Sequence, residues 1–314
     1  MKRLFCIVLT CALLFTACGK INYAPDNGRL TVMTTIFPVY DLTRRIAGAA
    51  AEVSMLLPPG VESHAFDPTP TDILKIKDSD LFIFIGGESD EWARRLVKAA
   101  GIEGALTLID KADTVTEEEP GEGAEDEHHG HEHGEPELDE HIWTSPKNAV
   151  LMSRAILNEL CERDGENAAE YIKNAEALIG ELDALDAEFR AIAEAAEVKT
   201  MVFGDRFPFR YFTEEYGIDY YAAFAGCSAQ TEPSFKSLVF LIDKVRSEML
   251  NAVYYIEFSA QKVARAISEE TGAEMLMFHS CHNVTREELD SGESYVSLMK
   301  KNAETLKKGL GVER

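Results

Sequence analysis

The pattern of apolar and polar positions divides the chain into alternating strand-like and helix-like segments. Short β-branched or continuously apolar runs predict buried strands, and longer segments between them carry apolar residues at helical spacing. In the first half, the predicted strands cover residues 30–35, 51–57, 81–85 and 106–109. In the second half, they cover residues 200–204, 219–224, 252–256 and 274–278. Strands that alternate with helices predict an α/β fold with a parallel sheet in each half and helices on both faces.

The helices predicted between these strands differ in length, and one of them is unusually long. The shorter ones are expected at residues 39–47, 71–77, 90–100, 146–163, 207–216, 233–249, 261–271 and 295–308. The long one covers about residues 168–197, where a single apolar stripe comprises Ile172, Ala175, Leu178, Leu182, Leu185, Phe189 and Ile192. Thirty residues of helix would span roughly 45 Å. The pattern alone leaves open whether this helix is a strut between two lobes or a coiled-coil arm.

An acidic segment at residues 117–140 interrupts the first half and contains almost no apolar residue before Leu138. It holds His128, His129, His131 and His133, and His141 follows directly after it. Imidazole is the commonest metal ligand in proteins, and several imidazoles on one tether favour ion capture. We interpret the segment as an auxiliary metal collector; the alternative is a solvated acidic loop whose histidines are incidental.

The overall charge limits the classes of function. The 314 residues carry a formal net charge of -24 at pH 7. Nucleic-acid binding needs a basic face against phosphate, so the charge argues against it. A negative surface attracts cations weakly without specifying a metal.

The first eighteen residues have the pattern of a lipoprotein signal peptide. Lys2 and Arg3 precede an apolar run at residues 4–15, and small residues precede Cys18. The run is too short for a stable membrane span. We therefore expect cleavage before a lipidated Cys18, a flexible leash at residues 19–29 and an extracytoplasmic location. An ordinary signal peptide, in which Cys18 is merely a cysteine, is the alternative.

The remaining cysteines do not form a metal-binding pattern. After removal of the signal peptide the chain keeps Cys161, Cys227 and Cys281 besides Cys18, with no CxxC pair. An oxidising exterior would permit a Cys227–Cys281 disulfide, which sequence spacing does not establish.

Three histidines occupy comparable places relative to the predicted strands. His64 follows the second strand, His141 closes the acidic segment, and His279 follows the last strand directly. Ligands of parallel α/β sheets bind at the loops beyond the carboxyl ends of strands. Histidines on facing loops of two lobes would meet at one ion, and zinc accepts such ligands tetrahedrally.

Several segments, in order, resemble the metal-binding substrate-binding lipoproteins of ABC importers, the family that handles zinc and manganese. The similar segments are VMTTIFPVYDL, SHAFDPTPTDILKIKDSDLFIFIGG, DEHIWTSP, FPFRYFTEEYGI, QTEPS and YYIEFSAQKVARAISEETGAE. The resemblance implies two (β/α) lobes, at residues 30–163 and 199–314, joined by a linking helix at residues 164–198. It also implies little hinge motion, with metal bound in the cleft between the lobes. On this resemblance His64 and His141 are expected as ligands from the first lobe.

The third ligand is where this sequence departs from the family. Arg206 stands where the family usually has a His or Glu, and a guanidinium does not bind a cation. Asp205 would then supply an oxygen, or Arg206 would pair with an acid such as Glu257. His279 takes the place of the family's acidic ligand after the last strand.

The expected metal site is therefore His64, His141 and His279, with water or Asp205 fourth. His282 is the alternate ligand, or it donates a hydrogen bond to a ligand instead of binding the metal. Glu232 in the TEPS segment is expected to begin a helix rather than to bind metal.

Three nitrogen ligands favour zinc, whereas manganese prefers oxygen-rich sites. The resemblance thus implies a non-enzymatic, monomeric zinc carrier that serves a membrane permease, with a manganese carrier as the nearest alternative. A zinc hydrolase would also fit three histidines, but the sequence has no HExxH or GxSxG motif. A surface adhesin is the third alternative, although the sequence has no internal repeat that would support it.

Overall fold

The computed structural model describes residues 28–62, 66–116, 138–226 and 233–312. In the first half of the chain, four parallel strands form one sheet in the order β2-β1-β3-β4. These strands are β1 (Leu30–Thr34), β2 (Ala51–Met55), β3 (Leu81–Phe84) and β4 (Ala105–Thr107). All four residues of β3 are buried, as expected for a strand that is covered on both faces.

The second half repeats this architecture. Its four parallel strands have the order β6-β5-β7-β8, the same order of first, second, third and fourth strand as in the first sheet. They are β5 (Thr200–Phe207), β6 (Asp219–Ala225), β7 (Ala252–Tyr255) and β8 (Glu274–Met277). The expectation of two α/β lobes with parallel sheets is confirmed.

Ten α-helices in the described residues cover the two sheets. Those of the first half are α1 (Phe37–Ala47), α2 (Pro70–Asp78), α3 (Glu91–Ala100) and α4 (Pro146–Arg163). The long helix is α5 (Ala168–Ala195). Those of the second half are α6 (Arg210–Tyr216), α7 (Phe235–Ser247), α8 (Lys262–Thr271), α9 (Arg286–Ser291) and α10 (Tyr295–Gly309). Within the described residues, no helix combines the length and the apolarity needed to cross a membrane.

The long helix is a strut, because its apolar stripe is buried against other helices of the same chain. It packs against α4, α1 and α10. Tyr171 lies fully buried at the start of the stripe, whereas Ile172, which the sequence had suggested for it, is 44% exposed. The alternative interpretation of this helix as a coiled-coil arm is therefore wrong.

One apolar core extends through both lobes, beside a smaller core in each. Its buried side chains include Val32 of the first sheet, Leu182 of α5, Phe203 of the second sheet and Leu306 of α10. Opening the lobes as rigid bodies would expose part of this core to water, which is unfavourable. The shared core thus supports the expectation of little hinge motion.

Two local features differ from the sequence prediction. Strand β5 continues to Phe207, so α6 begins at Arg210 rather than near residue 207. Helix α9 was not predicted, although Thr285 and Glu288 form a capping box at its start. The added end of β5 brings Arg206 to the cleft between the lobes.

Candidate metal centre

The cleft between the lobes is formed by loops that follow strands of both sheets, together with the segment that ends the acidic insertion. Its polar lining consists of Glu62, His141, Arg206, Glu257, Ser280, His282 and Asn283. The loop at residues 58–62 contacts the second lobe directly: Asn283 Nδ2 donates to the carbonyl oxygens of Pro58 and Val61, at 2.8 and 2.9 Å. The loop that leads to His64 is therefore held against the second lobe.

His141 is positioned as a metal ligand would be. It precedes a short 3-10 turn at Ile142–Thr144 and is 1% exposed. Its Nδ1 lies 2.9 Å from Asp139 Oδ1, which also accepts the backbone N–H of His141 at 2.8 Å. A carboxylate partner assigns the proton of the neutral ring to Nδ1, so that the lone pair is on Nε2.

The electrostatics of Asp139 agree with this role. Burial opposes the charge of the carboxylate, but attraction and hydrogen bonds from His141 outweigh burial and lower the pKa of Asp139. Tyr211 of the second lobe donates to the carbonyl oxygen of Asp139 at 2.6 Å. Both lobes thus help to hold the His141 segment.

His282 is the described histidine of the second lobe that faces His141. The two ring centroids are 5.7 Å apart, and Trp143 lies 4.8 Å from the His282 ring. Both histidines line the cleft and are buried. The second-lobe histidine of the cleft is therefore the one that the sequence had suggested only as an alternate.

His279, which the sequence favoured, lies behind the cleft and does not line it. Asn302 binds its backbone N–H and carbonyl group, each at 2.7 Å. Its Nδ1 accepts the N–H of Cys281 at 2.9 Å, and its Nε2 is 3.8 Å from Glu288 Oε1. A neutral ring whose Nδ1 lone pair is occupied carries its proton on Nε2, which is the wrong tautomer for a ligand. The geometry indicates a structural role.

Asp205 and Arg206 also differ from their expected roles. The carboxylate of Asp205 accepts the backbone N–H groups of Arg206 and Ile256, at 2.9 and 3.4 Å, and does not line the cleft. Burial raises the pKa of Asp205. Arg206 enters the cleft but pairs with Glu62 of the other lobe at 2.7 Å, rather than with Glu257.

Glu257 forms hydrogen bonds with the loop that precedes His282. Its Oε2 accepts the N–H of Ser280 at 2.7 Å, and its Oε1 accepts the Ser280 hydroxyl. Sequence analysis missed the part that Glu62 and Ser280 take in the cleft. The position of Glu62, two residues before His64, was the available signal.

Several predicted residues lie outside the described residues: His64, His128, His129, His131, His133, Cys18, Cys227 and Glu232. Among the residues that the structure does describe, no three His, Cys, Asp or Glu side chains are grouped to hold a metal ion. Cys281 is a free, buried thiol, and its proposed disulfide partner Cys227 is not described. A complete ligand set therefore needs a further ligand, either a residue outside the described ranges or a solvent molecule.

Comparison with known proteins identifies one family over most of the chain. A family model described as "Zinc-uptake complex component A periplasmic" matches residues 32–309. A Bacillus subtilis relative, "High-affinity zinc uptake system protein ZnuA", is 32% identical over 315 residues, which cover 98% of this chain and 97% of the relative. A Streptococcus pneumoniae relative, "Zinc-binding lipoprotein AdcA", is 30% identical over 98% of this chain. This chain spans only 61% of the length of that relative.

Solved structures show the same fold. The Zn(II)-bound ZnuA-like domain of Streptococcus pneumoniae AdcA is 27% identical and superposes with a TM-score of 0.74. The match covers 90% of this chain and 99% of that domain. The two-lobed arrangement seen here is thus that of a domain crystallised with zinc.

Proposed function

The chain belongs to the zinc-uptake component A family, and from that premise we propose that it binds zinc as cargo outside the cytoplasm and delivers it to an ABC-type importer. The observation that carries the proposal is the approach of His141 and His282 from opposite lobes, with ring centroids 5.7 Å apart. Two imidazoles on facing lobes, one already oriented by a carboxylate, are a typical start of a zinc site.

We infer the ligand set His64, His141 and His282. His64 follows Glu62 by two residues, and the described residues just before it, 58–62, are held against the second lobe through Asn283. His282 replaces His279 in this set, since the ring of His279 lies behind the cleft. Water would complete a tetrahedral site, as would Glu62 if it were released from Arg206, and Asp205 is dropped because its carboxylate binds backbone groups instead. Nitrogen ligands favour zinc over manganese.

Transport rather than catalysis is supported by the family and by the cleft. The family match is to an uptake component. Arg206 and Glu62 form an ion pair at the cleft, so neither is placed as a general base beside the metal. A hydrolase would turn over ester or peptide substrates in the presence of zinc, and we expect no such turnover.

The anchoring proposal rests on the sequence and on the relatives. The S. pneumoniae relative is named a lipoprotein, and Cys18 of this chain ends a segment with the pattern of a lipoprotein signal peptide. Lipid on Cys18 would tether a monomeric carrier beside its permease. Replacing Cys18 with Ala should move the protein from the membrane fraction to the soluble fraction, and retention of the variant in membranes would argue against this anchor.

The ligand set is tested by zinc affinity in chelator competition. The purified protein should bind one zinc tightly. His141→Ala and His282→Ala should each weaken binding at least about 100-fold, which is more than the loss of a residue that only supports a ligand usually causes. His279→Ala is the matched control from the same loop and should stay within about tenfold of the unmodified protein. A tight site that survives His282→Ala and disappears in His279→Ala would restore His279 as the ligand. Absence of any tight zinc would overturn the proposed function.

A further inference from the structure

The loop that carries His282 has an unfavourable backbone conformation. Cys281, fully buried in this loop, has a φ of 60°. Residues with a side chain rarely adopt this left-handed region, and they stay there only when the surroundings hold them. Something other than the intrinsic preference of the chain must therefore set the direction of His282.

A relay of hydrogen bonds from one carboxylate holds this loop. Glu257, two residues after the end of β7, accepts the N–H and the hydroxyl of Ser280. The same Ser280 hydroxyl oxygen accepts the N–H of His282 at 3.2 Å. The backbone of His282 is thus connected to the Glu257 carboxylate through a single side chain.

Other groups around the loop form hydrogen bonds with its remaining backbone groups. Trp143 of the first lobe donates from Nε1 to the Ser280 carbonyl oxygen at 2.8 Å. On the opposite side, the N–H of Cys281 is bound by His279. Ser280 therefore has its N–H, hydroxyl and carbonyl groups all engaged, and two of these three bonds go to Glu257.

We propose that Glu257 is a positioning residue for metal binding, which fixes the direction of the His282 imidazole through Ser280. This inference rests on the proposed function, because it takes His282 as a ligand. Glu257 is 9% exposed, and both of its oxygens bind Ser280. It acts on the metal through His282, and its removal changes the geometry of the site rather than the number of its protein ligands.

The test compares Glu257→Gln and Ser280→Ala with His282→Ala, alone and combined. Glutamine keeps the shape of the side chain but offers one acceptor oxygen in place of two, so Glu257→Gln should weaken zinc binding about 10–100-fold. Ser280→Ala removes the relay while keeping the carboxylate, and it should weaken binding in the same direction. Glu274→Gln is the matched control, since Glu274 lies on β8 of the same lobe and pairs with Lys308 at the surface.

Two readouts separate positioning from general structural damage. The visible absorption spectrum of the Co²⁺-loaded protein reports ligand geometry, and Glu257→Gln should change it without changing the melting temperature of the metal-free protein by more than the control does. In the double variant Glu257→Gln/His282→Ala, zinc affinity should equal that of His282→Ala alone, because a residue that acts through His282 has no further effect once His282 is gone.

Each contrary outcome has a distinct meaning. An unchanged affinity in His282→Ala would overturn the proposed ligand set and this inference with it. If His282→Ala loses most of its zinc affinity while Glu257→Gln keeps a normal affinity and a normal Co²⁺ spectrum, the inference about Glu257 is overturned and the proposed ligand set stands. Additive losses in the double variant would mean that Glu257 binds the metal itself. If Glu257→Gln does not fold, the Ser280→Ala variant tests the inference in its place. An unchanged Co²⁺ spectrum in Ser280→Ala would then contradict the hydrogen-bond relay.

Discussion

The indole Nε1 of Trp143 donates a 2.8 Å hydrogen bond to the carbonyl oxygen of Ser280, and this bond joins the two lobes beside the cleft. Trp143 follows His141 by two residues, and Ser280 precedes His282 by two. Tyr295 of α10 donates from its hydroxyl to the carbonyl oxygen of Trp143 at 2.5 Å. Both hydrogen bonds therefore hold the Trp143 segment, which also carries His141, against the second half of the chain, and one of them goes directly to the loop that carries His282.

Replacing Trp143 with Phe should test this connection. Phenylalanine keeps most of the apolar surface but cannot donate to Ser280, and the buried carbonyl would lose its partner at a cost of about 1–3 kcal/mol. We expect lower thermal stability and zinc affinity reduced roughly tenfold, measured by calorimetry and chelator competition. Phe84→Leu, in the core of the first lobe, is a control that should lower stability but not affinity. Equal affinity in Trp143→Phe and the unmodified protein would show that the bond does not orient the ligands.

Removing the charge of Arg206 should strengthen zinc binding. Its guanidinium repels a dication in the same cleft and occupies Glu62, which would otherwise be available to the metal. We expect Arg206→Gln to tighten zinc binding roughly threefold to tenfold and Arg206→Lys to change it little. Both partners are partly exposed, so loss of the pair should cost less than about 1 kcal/mol of stability. Weaker binding in Arg206→Gln would mean instead that the pair is needed to hold the Glu62 loop.

Asp90 should make stability depend on pH. Burial, followed by repulsion from Glu140, raises the pKa of Asp90 to about 7 from its ordinary 3.8. Because the folded state holds this proton more tightly than the unfolded state, the stabilisation is complete below the ordinary pKa. It is lost as pH rises toward 7. Asp90→Asn removes the titration and should therefore gain stability relative to the unmodified protein between pH 5 and pH 8.

Melting temperatures at these two pH values check the effect of Asp90. A relative gain of about 1 kcal/mol corresponds to about 2–4 °C. Asp110→Asn, at an exposed carboxylate in the same lobe, serves as the control. The same pH slope for Asp90→Asn and the unmodified protein would contradict the prediction.

The acidic histidine segment should add weak sites without forming the tight one. Deleting residues 121–136 should leave tight one-site zinc binding intact and remove the additional weak binding seen by calorimetry. Replacing His128, His129, His131 and His133 with Asn at constant loop length is the matched control for chain length. Loss of the tight site in either variant would refute the collector hypothesis.

The regular elements were largely predictable because their burial pattern repeats along the chain. The apolar run at residues 81–85 is buried on both faces as β3, and the stripe of the long helix is buried except at its first member. The capping box of α9 was also visible in the sequence, as Thr285 and Glu288, and could have identified that helix. Strand β5 was placed too short because Asp205 and Arg206 interrupt the apolar run from which it was predicted.

The site was only partly predictable. His141 was identified from its place after the acidic segment, and its side chain lines the cleft in the structure. His279 and His282 are three residues apart, and the sequence contains no signal for which of them faces the cleft. The choice depends on the left-handed conformation of Cys281, which turns the chain between them. Likewise, Arg206 was recognised as unfit for a ligand, but its partner Glu62 is 144 residues away in the chain.

The sequence by itself determined two α/β halves, a long helix between them and the presence of histidines at the ends of strands, because local hydrophobic periodicity and residue chemistry suffice for these. Only the tertiary structure decided which side chains meet in the cleft: His141 with His282, Arg206 with Glu62, and Trp143 with Ser280. These pairings join segments more than 100 residues apart. They follow from the docking of two lobes on one shared core, which no local pattern encodes.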